Sequence, residues 1–75
     1  MNWQPYIVTD PHIMHGARCF RGTRIPVSLV LDNLATGETA EAILAQYLSL
    51  RPEHFPAAIA FAADLAREPI VPILA

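Results

Sequence analysis

Apolar residues recur at helical spacing in three stretches of this chain. Val27, Val30, Leu31 and Leu34 fall at i, i+3, i+4 and i+7, with Asp32 and Asn33 turned the other way. That pattern predicts an amphipathic helix over about 27–35. Gly37 follows where a left-handed residue would close its C-terminus. Ala40, Ile43, Leu44 and Tyr47 repeat the spacing, with Thr39 as N-cap and Glu41 in the first turn, where its charge suits the helix dipole. This second helix ends near Tyr47 or Leu48, and the connection to Pro52 turns Leu50 inward. A third helix covers about Glu53 to Arg67. From Ala57 to Ala66 every residue except Asp64 is apolar, and a helix apolar on nearly all sides is buried on more than one. Pro56 requires that the regular helix begin near it or that the first turn be distorted.

The first 26 residues read differently. Pro5 to Val8 has the composition of a short strand, and Thr9-Asp10-Pro11 that of a turn. His12 to Gly16 is loop, with Ile13 turned toward the core. Arg18 to Phe20 and Arg24-Ile25 are two more brief extended pieces, and three such pieces could pair as a small sheet, each being marginal alone. Between them Gly22 allows the positive φ of a sharp reversal, and Thr23 can hold the turn through its hydroxyl. Pro26 keeps Ile25 extended and fixes its own φ just before the first helix. Beyond Glu68-Pro69, Pro72 keeps Ile70 to Leu74 extended, an apolar tail that must dock on its own sheet, a second subunit or a partner. The expected fold is mostly α: a short N-terminal β element with turns over about 1–26, a three-helix core over about 27–67 and an extended tail over about 68–75.

Composition adds an expectation about partners. With 53% hydrophobic and 16% charged residues in a chain of 75, disorder is excluded, and one small domain cannot hide that much apolar surface in its own interior. A homodimer is expected. The formal charge is −2, carried by five arginines and no lysine against seven carboxylates. Nucleic-acid binding on net charge alone is therefore excluded, and any DNA contact must come from a local cluster. The single Cys19 cannot form an internal disulfide and suits a reducing cytoplasm. No signal peptide or membrane-spanning run is visible.

Candidate chemistry is sparse. Arg18, Arg21 and Arg24 crowd one turn and, with Arg51, are the candidate phosphate contacts, since a guanidinium forks onto phosphate with two bonds. Their competing role is to solvate the hairpin and pair with carboxylates such as Asp10; Arg24, following the turn, is expected to be the most structural of the first three. On the third helix the polar candidates are Arg51, Glu53, His54, Asp64 and Arg67, too few and too acidic to read base edges. That helix and the tail are read as a dimer or partner interface through Ile59, Phe61, Leu65, Arg67, Ile70, Val71, Ile73 and Leu74. His12, His15 and Cys19, with His54 as a fourth, lack the spacing of a zinc site. No nucleophile has an activating neighbour and no glycine loop cradles phosphate, so neither enzyme, cofactor nor metal is expected.

The residues Asp10-Pro11, Gly16, the run Arg21-Gly22-Thr23-Arg24-Ile25-Pro26-Val27, Gly37 and Glu41 to Leu44 through Tyr47 resemble domain-of-unknown-function family 433. The resemblance spans about Ile7 to Ala63, with Gly22 to Val27 its most specific part and Gly22, Thr23, Pro26 and Gly37 its turn-forming positions. It implies a helix-turn-helix of homeodomain-like type. It also implies the role of a VapB-like antitoxin in a type II toxin–antitoxin pair, binding and inhibiting a PIN-like ribonuclease toxin and binding operator DNA for autorepression. Two other classes fit the residues: a stand-alone DNA-binding transcriptional regulator, and a protein–protein or oligomerisation module with no nucleic-acid role. In the antitoxin reading the apolar tail buries against the toxin, and Arg67 is the arginine nearest to it for insertion among toxin carboxylates.

Overall fold

In the computed structural model, residues 1–9, 11–12 and 16–67 are described. A single 3-10 turn at Gln4–Tyr6 leads into strand β1 (Ile7–Thr9), which pairs with strand β2 (Arg18–Phe20). Helices α1 (Val27–Ala35), α2 (Ala40–Gln46) and α3 (His54–Arg67) follow. The protein is thus mostly helical, with a two-stranded antiparallel element near its N-terminus. The expectations placed on Asp10, Ile13 and the segment 68–75, including the interface roles of Ile70, Val71, Ile73 and Leu74, lie outside the described residues.

The sheet is small and tightly specified. Its register sets Ile7 opposite Phe20, Val8 opposite Cys19 and Thr9 opposite Arg18. The expected strand over Pro5–Val8 begins two residues late, because Pro5 sits in the 3-10 turn, where its missing N–H costs nothing. The third extended piece contributes one bridge, Cys19 to Pro26, rather than a strand. Between β2 and that bridge the chain reverses at Gly22, whose φ of 81° fits the third position of a type II turn. The Thr23 N–H donates to Phe20 O at 3.0 Å, and its hydroxyl donates to the same oxygen at 2.9 Å. That hydroxyl also accepts from Ile25 N–H at 3.0 Å, while Phe20 N–H donates to Ile25 O at 3.1 Å.

The helix ends follow from local chemistry. Pro26 caps α1 in an extended conformation, and the last turn closes as a Schellman motif. Its two bonds run from Glu38 N–H to Asn33 O and from Gly37 N–H to Leu34 O, with Gly37 at φ 93°. Thr39 Oγ1 accepts from Ala42 N–H at 3.1 Å and starts α2. The first turn of α3 is built from i−3 bonds, His54 N–H to Arg51 O and Phe55 N–H to Pro52 O. Pro56 therefore lies inside that turn, where no intrahelical donor is required, and α3 begins ahead of it.

The core gathers Ile7 and Phe20 from the sheet, Val27 and Val30 from α1, Ile43 from α2, Leu50 from the connection, and Phe55, Ala58 and Phe61 from α3. Two sequence expectations change here. Phe61, read as an interface residue, is buried within the single chain because it faces the sheet side of α3, edge-on to Trp3 at 4.9 Å between centroids. Helix α3 is also not buried on several sides: Ile59 is 55% exposed on the side away from Phe61, and Leu65, in line with Ala58 and Phe61, is 57% exposed near the helix end.

Replacing Thr23 with valine removes both hydroxyl bonds and strands the Ile25 N–H. This should cost about 1–3 kcal/mol in urea denaturation, whereas Thr23→Ser should lie close to the unaltered protein.

Candidate functional site

The four candidate arginines divide into two pairs. Arg21 ties the sheet to the N-terminal turn: its Nε donates to Pro5 O at 2.8 Å and its backbone N–H to Tyr6 O at 2.8 Å. Arg18 lies over two aromatic faces, its guanidinium carbon 5.6 Å from the centroid of Trp3 and 5.1 Å from that of Phe61. Arg24 and Arg51 are exposed, and neither side chain has a hydrogen bond or ion pair among the described residues. Arg21, not Arg24, is thus the most structural of the turn arginines, because the type II turn directs position 21 back over the 3-10 turn.

Arg24 and Arg51 belong to segments joined by one contact. The Phe20 ring stacks on His54 at 4.8 Å between centroids and 30° between planes. His54 is buried, and its Nδ1 accepts the Arg51 backbone N–H at 3.0 Å, so its remaining proton sits on Nε2. His54 is therefore a core residue at the start of α3 rather than a metal ligand or groove-facing donor. Among the described residues no three His, Cys, Asp or Glu side chains cluster as a metal site would need.

At the far end of α3 a half-open cleft of about 380 Å³ lies between the N-terminal segment, β2 and the last two turns of the helix. Trp3 and Gln4 line it from the N-terminal segment, Arg18 from β2, and Phe61, Asp64, Leu65 and Arg67 from α3. Asp64 is the hub: Trp3 Nε1–H donates to its Oδ2 at 2.6 Å, and Arg67 Nη1 pairs with its Oδ1 at 2.5 Å. The helix pattern marked Asp64 as the lone polar residue in an apolar run but not its partner, which lies 61 residues away. Arg67, the arginine expected to reach a partner, is here held in its own helix by an exposed pair of the kind that contributes little to stability.

Burial holds the His54 imidazole below its ordinary value of 6.5; Glu53 acts against that shift and Arg51 adds to it. Protonating Nδ1 would also turn the acceptor for Arg51 N–H into a donor. The unfolded chain consequently takes up a proton first as pH falls. Stability should be full above about pH 7 and fall as pH drops through the ordinary imidazole range. A series of urea midpoints from about pH 7.5 to 5 checks this, and His54→Gln should flatten the slope.

Comparison with known proteins places this geometry. The profile of the family described as "Protein of unknown function (DUF433)" matches residues 7–62. A crystal structure of a DUF433 member from Anabaena variabilis superposes with a TM-score of 0.74 at 30% sequence identity, over 81% of this chain and 60% of that one. This chain thus spans about three-fifths of that relative's length. No curated protein matches it. The matched span runs from β1 to the middle of α3, taking in the Gly22–Thr23 turn, the Gly37 cap and the Phe20–His54 stack. The chain is a member of the DUF433 family.

Proposed function

We propose that this protein is an antitoxin-type binding module, a homodimer that holds a PIN-like ribonuclease toxin inactive in the cytoplasm through contacts centred on the outward face of α3. The observation that carries the reading is the exposure of Ile59 on a face whose other members are Pro56, Ala63 and Ala66. In a helix-turn-helix domain the third helix meets base edges, which needs arginine, lysine, asparagine, glutamine or serine on that face. This face offers one of them, Arg67 in the last turn, and that guanidinium is paired with Asp64. Exposed apolar side chains suit protein contact, where burying one isoleucine contributes about 1.5–3 kcal/mol. Leu65 and Leu48, the latter 89% exposed in the connection before α3, enlarge the apolar supply.

A stand-alone DNA-binding regulator is the second reading, favoured by the uncommitted guanidiniums of Arg24 and Arg51. Contacts from these two positions would reach phosphate and so position the protein on DNA without specifying sequence. In the antitoxin reading the same pair serves operator binding by the toxin-bound dimer.

The test is co-expression with the neighbouring reading frame, with the tag on the neighbour alone. The expected result is co-elution of this chain with a silent ribonuclease. Ile59→Asp should weaken the complex by about tenfold or more with an unchanged circular dichroism spectrum, because an unpaired charge would be buried on docking. An unaltered chain that elutes apart and leaves the nuclease active contradicts the antitoxin reading. Steeply salt-dependent binding of its own promoter by the chain alone would then favour the regulator.

A further inference from the structure

The cleft at the C-terminal end of α3 has a composition that neither family membership nor the antitoxin reading uses. Of the residues that build it, only Arg18 and Phe61 fall within the matched span 7–62; Trp3, Asp64 and Arg67 lie outside. It is therefore built largely from residues that flank the matched span. Its polar groups are unevenly committed. Trp3 has spent its one N–H on Asp64, so the part of the indole left open beside Arg18 and Phe61 is apolar wall. Asp64 has spent one oxygen on Trp3 and the other on Arg67. Arg18 has spent nothing: its guanidinium rests across the Trp3 and Phe61 rings, and among the described residues none of its donors makes a hydrogen bond and no carboxylate pairs with it.

The Arg18 guanidinium is thus open to an acceptor, the Gln4 amide adds a neutral polar group, and the charge of the cleft is one net positive, two guanidiniums against one carboxylate. The aromatic pair holds the Arg18 fork in place, which removes much of the side-chain ordering cost of a bidentate contact. A planar carboxylate fits that fork, and the Trp3, Phe61 and Leu65 surfaces fit an apolar group beside it. The volume matches the low end of the range for small sites, and the open side admits a side chain presented on a backbone. We infer that this cleft binds a carboxylate-bearing peptide segment of a protein partner, an acidic side chain seated on Arg18 with an apolar neighbour against Trp3 and Leu65. The inference does not rest on the antitoxin reading.

Trp3 is the one tryptophan in the chain, so its fluorescence reports the cleft directly. The probes are the capped tripeptides leucyl-glutamyl-leucine and leucyl-glutaminyl-leucine, with phenylacetate as a free small carboxylate, titrated into the full chain. The glutamyl peptide should give a saturable signal, weakened by salt, and bind about tenfold more tightly than the glutaminyl one, as a charge-assisted bond requires. Arg18→Gln should erase that preference, Arg18→Lys should keep part of it, and Leu65→Ser should weaken both peptides alike. Equal affinity for the two peptides on the unaltered chain overturns the inference, and so does saturation by phenylacetate without a response to the glutamyl peptide. Because that comparison uses the unaltered protein, it decides the matter even if an Arg18 variant fails to fold.

Discussion

The fold hangs on the stack of Phe20 against His54. Phe20 is fully buried at the end of β2, and its backbone is tied on both sides: its N–H to Ile25 O, its carbonyl to the amide and hydroxyl of Thr23. The ring therefore has one position, set by the turn. His54 meets it from the first residue of α3, and His54 in turn holds the Arg51 N–H that forms the start of that helix. An aromatic contact of this kind adds about 0.5–1.5 kcal/mol to the area it buries. Its larger effect is geometric. It fixes where α3 starts and which of its sides faces α1 and the sheet.

With that side fixed, the other follows. Phe55, Ala57, Ala58 and Phe61 turn inward, which leaves Pro56, Ile59, Ala63 and Ala66 outward. The same constraint separates the arginines by role. Arg21 is bonded to the N-terminal turn and Arg18 lies over Trp3 and Phe61, while Arg24 and Arg51 stay exposed with no side-chain bond among the described residues. A small, weakly acidic domain thus presents an apolar helix face in one place and two uncommitted guanidiniums in another. Protein contact on the first and phosphate contact on the second are compatible on one molecule.

Much of this was legible in the sequence where signals are local. The span of α1, the Gly37 cap, the Thr39 cap and the Gly22–Thr23 turn each depend on residues close to one another in the sequence. What was not legible depends on long-range packing. Pro5-Tyr6 has strand composition, but Arg21 bonds the Pro5 carbonyl and the pair sits in a 3-10 turn. His54 reads as an outward polar residue of the third helix because nothing nearby in sequence shows that Phe20 will cover it. Phe61 and Ile59 are both apolar on an apolar helix, and only the position of the sheet shows that one is core and the other exposed. The Trp3–Asp64 bond spans nearly the whole chain and leaves no periodic trace.

The measurement that bears most directly on the outward face of α3 is hydrogen exchange on the chain alone and in the presence of its co-expressed neighbour. If that face is the docking surface, amides over 57–66 gain protection on complex formation, while those around Arg24 and Arg51 change only when promoter DNA is added. A complex that leaves 57–66 unchanged, or protection of that helix by DNA without the protein partner, would contradict the assignment of α3 to protein contact.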